Sequence, residues 1–477
     1  MNAAKYDVFV GLEIHIHLKT QSKMFCSCRA RYGDEPNTNI CPVCLGYPGT
    51  LPRVNAQAMT LGYLVARALD CRLSARTAFA RKNYFYPDMP KNYQISQFDD
   101  PVGVDGSLEA DLGSTGVRRI RIHDVHLEED AGKMIHAGDV TLLDFNRAGY
   151  PLLEIVTEPD LRSGEETEAF LRDFQRLVRY LGVSDGNMEE GSMKCDANIS
   201  INHPGRGLGT KVELKNMNSP RFVRLALNHE IERQSAVLDA GGSLVQETRL
   251  WNENRDTTES MRRKEASDDY RYFPEPDTPP FVADDEFLAD LDRALVELPL
   301  ARKVRLERDY GLTSDQAEFL HDERSTADLF EDVVARGASP RNAAAWLSSD
   351  VRKLLNRDNL TLEECPLTAG RLAELLALID AGTISGKIAK KVLERVFSDD
   401  ADPRAIVDDE GWAQISDPSI LTDIIDTVVS AHPDVVDAVK TGDVKQKGWL
   451  MGQVMKATDG KAAPQAAAEI LDRRLAT

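Results

Sequence analysis

A polar strand that runs directly into a group of four cysteines, between Gly11 and Gly46, constrains the fold of this chain more than any other stretch. The strand reads GLEIHIHL, and Glu13, His15 and His17 occupy every second position in it. Because successive side chains of a strand alternate between its two faces, these three point in the same direction. The pattern predicts a strand with one polar face, which indicates a site.

The cysteines that follow this strand predict a structural metal site. They are spaced C-x-C, twelve residues, then C-x-x-C, at Cys26, Cys28, Cys41 and Cys44. Thiolates bind zinc tetrahedrally, and a site with four protein ligands has no open position, so it would hold a loop in place and would not catalyse. The alternative is a group of reduced thiols without a metal.

Length, charge and cysteine usage limit the class of protein. A chain of 477 residues is expected to form two to four domains. Its net charge of −20 argues against nonspecific polyanion binding by the whole surface, but it leaves room for a local basic patch. The sequence has neither a long apolar run nor the start of a signal peptide, so we expect a cytoplasmic protein without a membrane span. Seven cysteines in such a chain do not indicate a disulfide framework.

Acidic residues on several strand-like segments form a second candidate site. Glu128 and Glu129 end an alternating segment, and Asp196 and Glu213 belong to two segments that resemble a hairpin. Carboxylates that converged on one sheet face would repel each other unless cations neutralised them, and magnesium prefers such oxygen ligands. The alternative is that each acid faces water. The sequence has no GxxxxGK[ST], HExxH or GxSxG motif, so any ATP chemistry would use another scaffold.

An aromatic and basic segment at residues 79–100 has two interpretations. Among Arg81, Lys82 and Lys91 it places Phe79, Tyr84, Phe85, Tyr86 and Tyr93. Such a combination can hold a base and a phosphate, but it is also typical of an extended loop that covers a core.

The chain changes character near residue 293. Before it, strand-like and helical patterns alternate, whereas residues 294–405 are predicted to be helical. Residues 406–477 are predicted to form a small helical tail with a local basic surface, because glycines and lysines interrupt an otherwise acidic C-terminal half.

Blocks of sequence along nearly the whole chain resemble the B subunits of the tRNA-dependent amidotransferases, the GatB/GatE family. The blocks are GLEIHIHL (11–18), PNTNICPVCLGYPGTLPRVN (36–55), KNYFYPDMPKNYQISQ (82–97), HLEEDAGK (126–133), DFNRAGYPLLEIVTEPD (144–160), EGSMKCDANIS (190–200), TKVELKNMNS (210–219), QETRLW (246–251), SMRRKEASDDYRYFPEPD (260–277) and GWLMGQVMKATDGKAAPQ (448–465). They occur in the family's order.

The resemblance implies an α+β fold with three domains. A cradle-shaped mixed α/β catalytic domain would span residues 1–293, an all-helical domain residues 294–405, and a small helical YqeY-like tail that contacts tRNA residues 406–477.

The resemblance also implies an activity, cofactors and partners. Members of the family are ligases that form carbon–nitrogen bonds with glutamine as the amido donor. They use ATP and Mg²⁺ to phosphorylate the side-chain carboxylate of Glu-tRNA(Gln) or Asp-tRNA(Asn), and ammonia then displaces the phosphate. The ammonia comes from an amidase A subunit, and a small C subunit completes the heterotrimer.

Carried over by motif, the resemblance implies specific site residues. The magnesium and catalytic residues would be Glu13, His15, Glu128, Glu129, Asp196 and Glu213. Phosphate contacts would come from Lys82 and Lys133, and a structural zinc would be bound by Cys26, Cys28, Cys41 and Cys44.

Two positions depart from the family's pattern. Pro220 stands where an aromatic residue is more usual, and His17 is not the commonest residue in its place; neither is a proposed ligand.

The rival function, which stays open, is a zinc-stabilised tRNA-binding module without chemistry of its own. The acids favour the enzyme, because a pure binder of a polyanion has no use for carboxylates unless metals intervene.

Overall fold

The chain divides into two units, residues 1–302 and 303–477. The structure is a computed structural model, which describes residues 5–263, 270–415, 417–458 and 460–476. The first unit combines strands and helices and the second is built from helices, so the predicted α+β class is confirmed. The bounds of the three predicted domains stay a prediction.

A large sheet forms the frame of the first unit. The strands of the described residues are β1 (Asp7–His17), β2 (Arg72–Leu73), β3 (Arg76–Thr77), β4 (Ala80–Asn83), β5 (Tyr93–Ser96), β6 (Gly103–Asp111), β7 (Val117–Glu129), β8 (Lys133–Ala137), β9 (Val140–Asp144), β10 (Pro151–Thr157), β11 (Met193–Asn202), β12 (Val212–Lys215), β13 (Glu247–Asn252), β14 (Thr257–Arg263), β15 (Phe273–Pro274) and β16 (Phe281–Val282). Twelve of them form one sheet, in the order β14-β13-β12-β11-β1-β10-β7-β5-β4-β15, with β6 also paired to β7 and β2 paired to β6. β1 therefore lies between β11 and β10, in the interior of the sheet.

The two faces of β1 have opposite character, as the alternation in its sequence predicts. Leu12, Ile14 and Ile16 are at most 1% exposed and belong to the main apolar core. Glu13 and His15 project from the other face. Burial of the apolar face fixes the register of the strand, because a shift by one residue would exchange the two sets.

Helices cover the apolar face. They are α1 (Ala56–Ala68), α2 (Gly164–Tyr180) and α3 (Pro220–Asp239), and α4 (Asp285–Ala294) packs against α1. Ser163 caps α2 by accepting a hydrogen bond from the Glu166 amide, and the Glu166 side chain accepts one from the Arg162 amide. Ser219 caps α3 in the same manner, and Pro220 occupies its first turn, where a missing N–H costs nothing. The unusual proline thus suits the start of a helix.

The second unit contains two apolar cores. Its helices are α5 (Pro299–Tyr310), which begins in the first unit, α6 (Ser314–His321), α7 (Arg324–Ala335), α8 (Pro340–Trp346), α9 (Arg352–Asp358), α10 (Ala369–Asp380), α11 (Gly386–Asp399), α12 (Pro403–Asp409), α13 (Pro418–Ala431), α14 (Pro433–Lys440), α15 (Val444–Ala457) and α16 (Pro464–Ala476), with a π-helical turn at Leu347–Val351. Val407 is part of the first core, whereas Leu421 begins the second. Among the described residues, no helix is both long enough and apolar enough to cross a membrane.

Candidate active site

The polar face of the sheet gathers a first group of ligands from three adjacent strands. His15 of β1 lies opposite Glu154 of β10, and Glu128 lies on β7, the next strand. His15 Nε2 is 3.2 Å from Glu154 Oε2 and 3.6 Å from Glu128 Oε1. One ligand atom from each residue lies within 4.8 Å of the others, which is close enough for all three to hold one ion.

The electrostatics of this first group favour a bound cation. Burial raises the pKa of Glu128, which is 4% exposed, although His15 opposes that effect. Burial also raises the pKa of Glu154, but hydrogen bonds with His126 and His15 lower it further than burial raises it. A cation among these carboxylates would stabilise their charged forms.

His126 supports the first group from behind. Its Nε2 is 3.0 Å from Glu154 Oε2, and its Nδ1 is 2.8 Å from Asp124 Oδ1. Burial lowers the pKa of His126, but the two carboxylates outweigh burial and raise it to about 10. A charged imidazole held between two acids fixes the direction of the Glu154 side chain.

A second group of acids lies beside the first on the same face. Glu13 is opposite Asp196 of β11, and Asn198 of β11 is opposite Glu213 of β12. Ligand atoms of Glu13, Asp196 and Glu213 also lie within 4.8 Å of one another. Glu13 and His15 are two positions apart on one strand, so β1 contributes a ligand to each group.

Neutral donors and a lysine hold the second group. Asn198 Nδ2 donates to Glu13 Oε1 over 2.9 Å, and Thr248 Oγ1 donates to Glu213 Oε2 over 2.7 Å. Lys215 Nζ lies 2.5 Å from Asp196 Oδ2 and 3.4 Å from Glu213 Oε1. Burial lowers the pKa of Lys215, but the adjacent acids, Asp196 above all, raise it further, so the side chain is an ammonium ion.

The donor sets of both groups suit a hard divalent cation. Five carboxylates and one imidazole match the preferences of Mg²⁺ or Mn²⁺. Within the described residues, Asn198 Oδ1 is buried without a hydrogen-bond partner, although its Nδ2 is bound to Glu13. Because the same amide group binds Glu13, this unsatisfied carbonyl oxygen is a further group that a hydrated cation could satisfy.

The structure brings together most of the residues predicted from the sequence. Lys82 lies near the first group, where burial lowers its pKa but the charges of Glu128, Tyr272, Tyr270 and Glu154 raise it further. Its Nζ lies 4.9 Å from the centre of the Tyr270 ring.

Glu129 and Lys133 are not brought to either group. Glu129 forms an ion pair with Lys91 and accepts a hydrogen bond from the Ile95 amide, because it points to the opposite side of β7 from Glu128. It lines a cavity of about 240 Å³ beside Cys44. Lys133 is exposed and begins the β8–β9 hairpin, opposite Asp144.

The four cysteines converge as their spacing predicts. One sulfur of each lies within 4.8 Å of the others, and the Sγ atoms of Cys41 and Cys44 are 3.9 Å apart. The hydrogen bond between Cys26 and Cys44 lowers the pKa of Cys44 to about 5, with further help from the nearby Lys23, and it raises the pKa of Cys26 far above its usual value. Four clustered sulfurs are the donor set that a tetrahedral zinc site uses, and bound zinc would stabilise their thiolate forms.

The cysteine loop also fixes the β8–β9 hairpin. The Asn37 amide donates to Asp144 Oδ1 over 3.0 Å, and its side chain donates to the Leu143 carbonyl over 2.9 Å. The Asn39 amide donates to Asn146 Oδ1 over 2.8 Å. The loop therefore determines the path of the chain between β7 and β10, which carry Glu128 and Glu154.

Three contributors to the site escaped prediction from the sequence: Glu154, His126 and Lys215. Glu154 did carry a signal, since it is a single charge within the otherwise apolar strand PLLEIVT. His126 and Lys215 lie within blocks that resemble the family, but their roles depend on which strands are neighbours.

The aromatic segment at residues 79–100 is divided between the core and the surface. Phe79 is buried in the core, whereas Phe85 and Tyr86 are 66% and 51% exposed. Farther along the chain, Tyr272 stacks on Phe98 with ring centres 4.0 Å apart. Residues 264–269, part of the block at 260–277, lie outside the described residues.

Comparison with known proteins gives consistent matches over the whole chain. Residues 8–289 match the family model described as the GatB/GatE catalytic domain, and residues 328–475 match the model described as the GatB domain. The chain is 45% identical over 478 residues to the B subunit of the aspartyl/glutamyl-tRNA(Asn/Gln) amidotransferase of Carboxydothermus hydrogenoformans, with 99% of both chains covered. It is 47% identical over 482 residues to the protein of that name from Thermosynechococcus vestitus, with 98% of this chain and 96% of the other covered. The corresponding protein of Geotalea uraniireducens is 46% identical over 477 residues, with 99% of both covered.

Proposed function

This chain belongs to the GatB/GatE family, and on that premise we propose that it is the B subunit of a glutamine-dependent tRNA amidotransferase. Its substrates are Glu-tRNA(Gln), Asp-tRNA(Asn) or both, and its products are the corresponding Gln-tRNA(Gln) and Asn-tRNA(Asn). The activity is that of a ligase that forms a carbon–nitrogen bond.

The observation that carries the proposal is the pair of ligand groups on one sheet face, linked by β1. A carboxylate is a poor electrophile until one of its oxygens becomes a leaving group. Transfer of the γ-phosphoryl group of ATP to the substrate carboxylate achieves this, and ammonia then displaces phosphate from the acyl phosphate. Phosphoryl transfer requires charge neutralisation and positioning more than a protein nucleophile.

Each ligand group has a distinct role in this proposal. His15, Glu128 and Glu154 hold one Mg²⁺, and Glu13, Asp196 and Glu213 hold a second. Bound Mg²⁺ supplies charge neutralisation for the phosphate oxygens. His126 keeps Glu154 oriented toward the first position, and Lys82 offers its ammonium group to a phosphate oxygen.

Glu129 and Lys133 take no part in the metal and phosphate site of this proposal. Glu129 is engaged with Lys91 on the far side of β7. Lys133 is exposed at the start of a separate hairpin. The proposed assignment thus differs from the sequence-based one by the loss of these two residues and the gain of Glu154.

The cysteines have a structural role. Cys26, Cys28, Cys41 and Cys44 would bind one Zn²⁺, for which their four clustered sulfurs are suited. The four cysteines, holding zinc, would stabilise the loop that contacts the β8–β9 hairpin, and four protein ligands would leave no position open for catalysis.

The partners follow from the reaction. An amidase A subunit supplies ammonia from glutamine, a small C subunit completes the heterotrimer, and the misacylated tRNA contacts the helical tail. Support for a multi-subunit enzyme comes from the names of the relatives, each of which is one subunit of an amidotransferase.

Reconstitution tests the proposal. The chain is purified with its A and C partners, and formation of Gln-tRNA from Glu-tRNA(Gln) is measured with glutamine, ATP and Mg²⁺, leaving out one component at a time. We expect product only when ATP and Mg²⁺ are both present, and its loss in Glu128→Gln. A matched control is Glu109→Gln, which changes an exposed acid of β6. Tight binding of tRNA without product would instead support the zinc-stabilised binding module.

A further inference from the structure

We propose that Lys215 takes the place of the second cation while no nucleotide is bound, because its ammonium group neutralises the Glu13–Asp196–Glu213 group. When a divalent cation binds there together with nucleotide, the Lys215 ammonium group moves away from the acids and toward a phosphate. This inference rests on the proposed function, because it assumes that the second group holds a cation during phosphoryl transfer. It adds a role for a residue that the metal assignment itself does not include.

The position of the ammonium group is the first observation. Lys215 Nζ is 2.5 Å from Asp196 Oδ2 and 3.4 Å from Glu213 Oε1, and both of these carboxylates belong to the group that could hold an ion. A divalent cation bound by the same oxygens would lie within a few ångström of Nζ, where two positive charges repel strongly. Lysine and metal are therefore competitors for one location.

The side chains around the second group suit a bound cation as well as the Lys215 ammonium group. Thr248, which is 1% exposed, fixes Glu213 through Oε2, and Asn198 fixes Glu13 through Oε1. Asn198 Oδ1 stays buried without a hydrogen-bond partner among the described residues. Lys215 thus neutralises part of the charge of the second group, and it leaves the Asn198 carbonyl oxygen for a hydrated cation to bind.

The first group has a different arrangement. There the ion-pair partners of the carboxylates are His15, itself a candidate ligand, and His126, which binds Glu154 from behind, whereas Lys82 acts on Glu128 through its charge. The first group is accordingly suited to a resident cation. The second group is suited to a cation that binds only when nucleotide binds.

A displaced lysine needs a new anionic partner. Three carboxylates with one ammonium carry a net charge of −2, so entry of a divalent cation is favourable overall, yet Nζ must move away from it. The side chain of lysine is long and flexible, and nucleotide phosphate is the anion that comes with the cation. Nucleotide and second metal should therefore bind cooperatively.

Manganese titration of the purified full chain tests the competition. Free Mn²⁺ is followed by electron paramagnetic resonance, without nucleotide, for the wild type, Lys215→Met and Lys194→Met. Lys194 is the matched control, since it is exposed on the same face of β11, two residues from Asp196. We expect Lys215→Met to bind an additional Mn²⁺, or to bind Mn²⁺ about tenfold more tightly, and Lys194→Met to resemble the wild type.

Two further variants assign the effect. Adding Glu13→Gln to Lys215→Met should abolish the gain, because it removes a ligand of the second group. Lys215→Arg should restore wild-type Mn²⁺ binding, which separates the charge of the side chain from any damage to the fold. Equal Mn²⁺ binding by Lys215→Met and Lys194→Met would overturn the proposal.

A nucleotide titration tests the transfer to phosphate. In the wild type, a non-hydrolysable ATP analogue should create the additional Mn²⁺ site, and in Lys215→Met the affinity for the analogue should fall several-fold. An unchanged affinity of Lys215→Met for the analogue would contradict the movement of the Lys215 ammonium group to phosphate. None of these measurements uses product formation, so a chain that forms no Gln-tRNA would refute the proposed function without deciding the role of Lys215.

Discussion

Glu128 and Glu129 are consecutive in β7, yet their carboxylates lie on opposite faces of the sheet. Glu128 is 3.6 Å from His15 in the first ligand group, whereas Glu129 is paired with Lys91 beside the cavity that Cys44 lines. The two acids therefore belong to different environments, and substitutions at them should have different consequences.

Replacement of Glu128 by glutamine should reduce ATP-dependent product formation by about a hundredfold or more, because a cation at the transferred phosphate loses a charged ligand. Binding of tRNA should change little. Filter binding of tRNA and a product assay on the reconstituted enzyme measure both. Normal turnover by this variant and by Glu13→Ala would show that the metal assignment is wrong.

Replacement of Glu129 by alanine should act mainly on stability. It leaves Lys91, whose side chain is 7% exposed, as a buried charge without its partner, at a cost of about 3 kcal/mol. We expect a lower Tm with Mn²⁺ binding at the first group preserved. The double variant Glu129→Ala/Lys91→Met should recover part of the lost Tm, and weakened Mn²⁺ binding in either variant would instead make Glu129 a ligand.

Replacement of His126 by alanine should weaken metal binding at the first group by about tenfold to a hundredfold, because Glu154 loses the side chain that orients it. Manganese titration measures the loss. His123→Ala is the control, since His123 is an exposed histidine of the same strand, 3.0 Å from Glu158. Equal affinities for the two variants would contradict the orienting role of His126.

Removal of zinc should release the β8–β9 hairpin without unfolding the sheet. The contacts from Asn37 and Asn39 to Asp144 and Asn146 depend on the path of the cysteine loop. Hydrogen exchange after chelation should therefore accelerate in residues 133–146 and stay slow in β1. Replacement of Cys44 by serine should reproduce the pattern, whereas Cys365→Ser should not, and unchanged exchange on chelation would exclude the anchoring role.

Truncation of the tail should weaken tRNA binding, and the choice of the last residue decides whether the rest stays folded. A chain that ends at residue 405 loses Ile406 and Val407, which are 4% and 1% exposed in the first core of the second unit. A chain that ends at residue 413 keeps α12 and that core. We expect the chain that ends at residue 413 to melt at a higher temperature than the chain that ends at residue 405. Both should bind tRNA less tightly than the full chain. Unchanged tRNA affinity would refute the role of the tail.

The local features of the site could be predicted from the sequence because they depend on short-range rules. Alternation within β1 gave Glu13 and His15 a common face, and the segments around Asp196 and Glu213 do form the antiparallel pair β11–β12. The same alternation implies that Glu128 and Glu129 cannot serve one site. Sequence alone could not decide between them, because the choice depends on which face of β7 meets β1 and β10.

What escaped prediction depends on long-range pairing. Glu154 reaches the site because β10 is inserted between β1 and β7, with His15 directly opposite. Pairing between strands so far apart in the chain is set by the burial of the whole apolar face and not by any local pattern. The partner of Lys215 was hidden for the same reason, since it depends on the register between β11 and β12.

The two-residue repeat of β1 has a consequence for how this protein can change. One strand both seals the core through Leu12, Ile14 and Ile16 and spaces the ligand groups through Glu13 and His15, about 7 Å apart along the backbone. An insertion or deletion of a single residue would turn the acids into the apolar core and the aliphatic residues toward water. Evolution can therefore substitute side chains along this strand but cannot change its length by one residue without losing fold and catalysis at once.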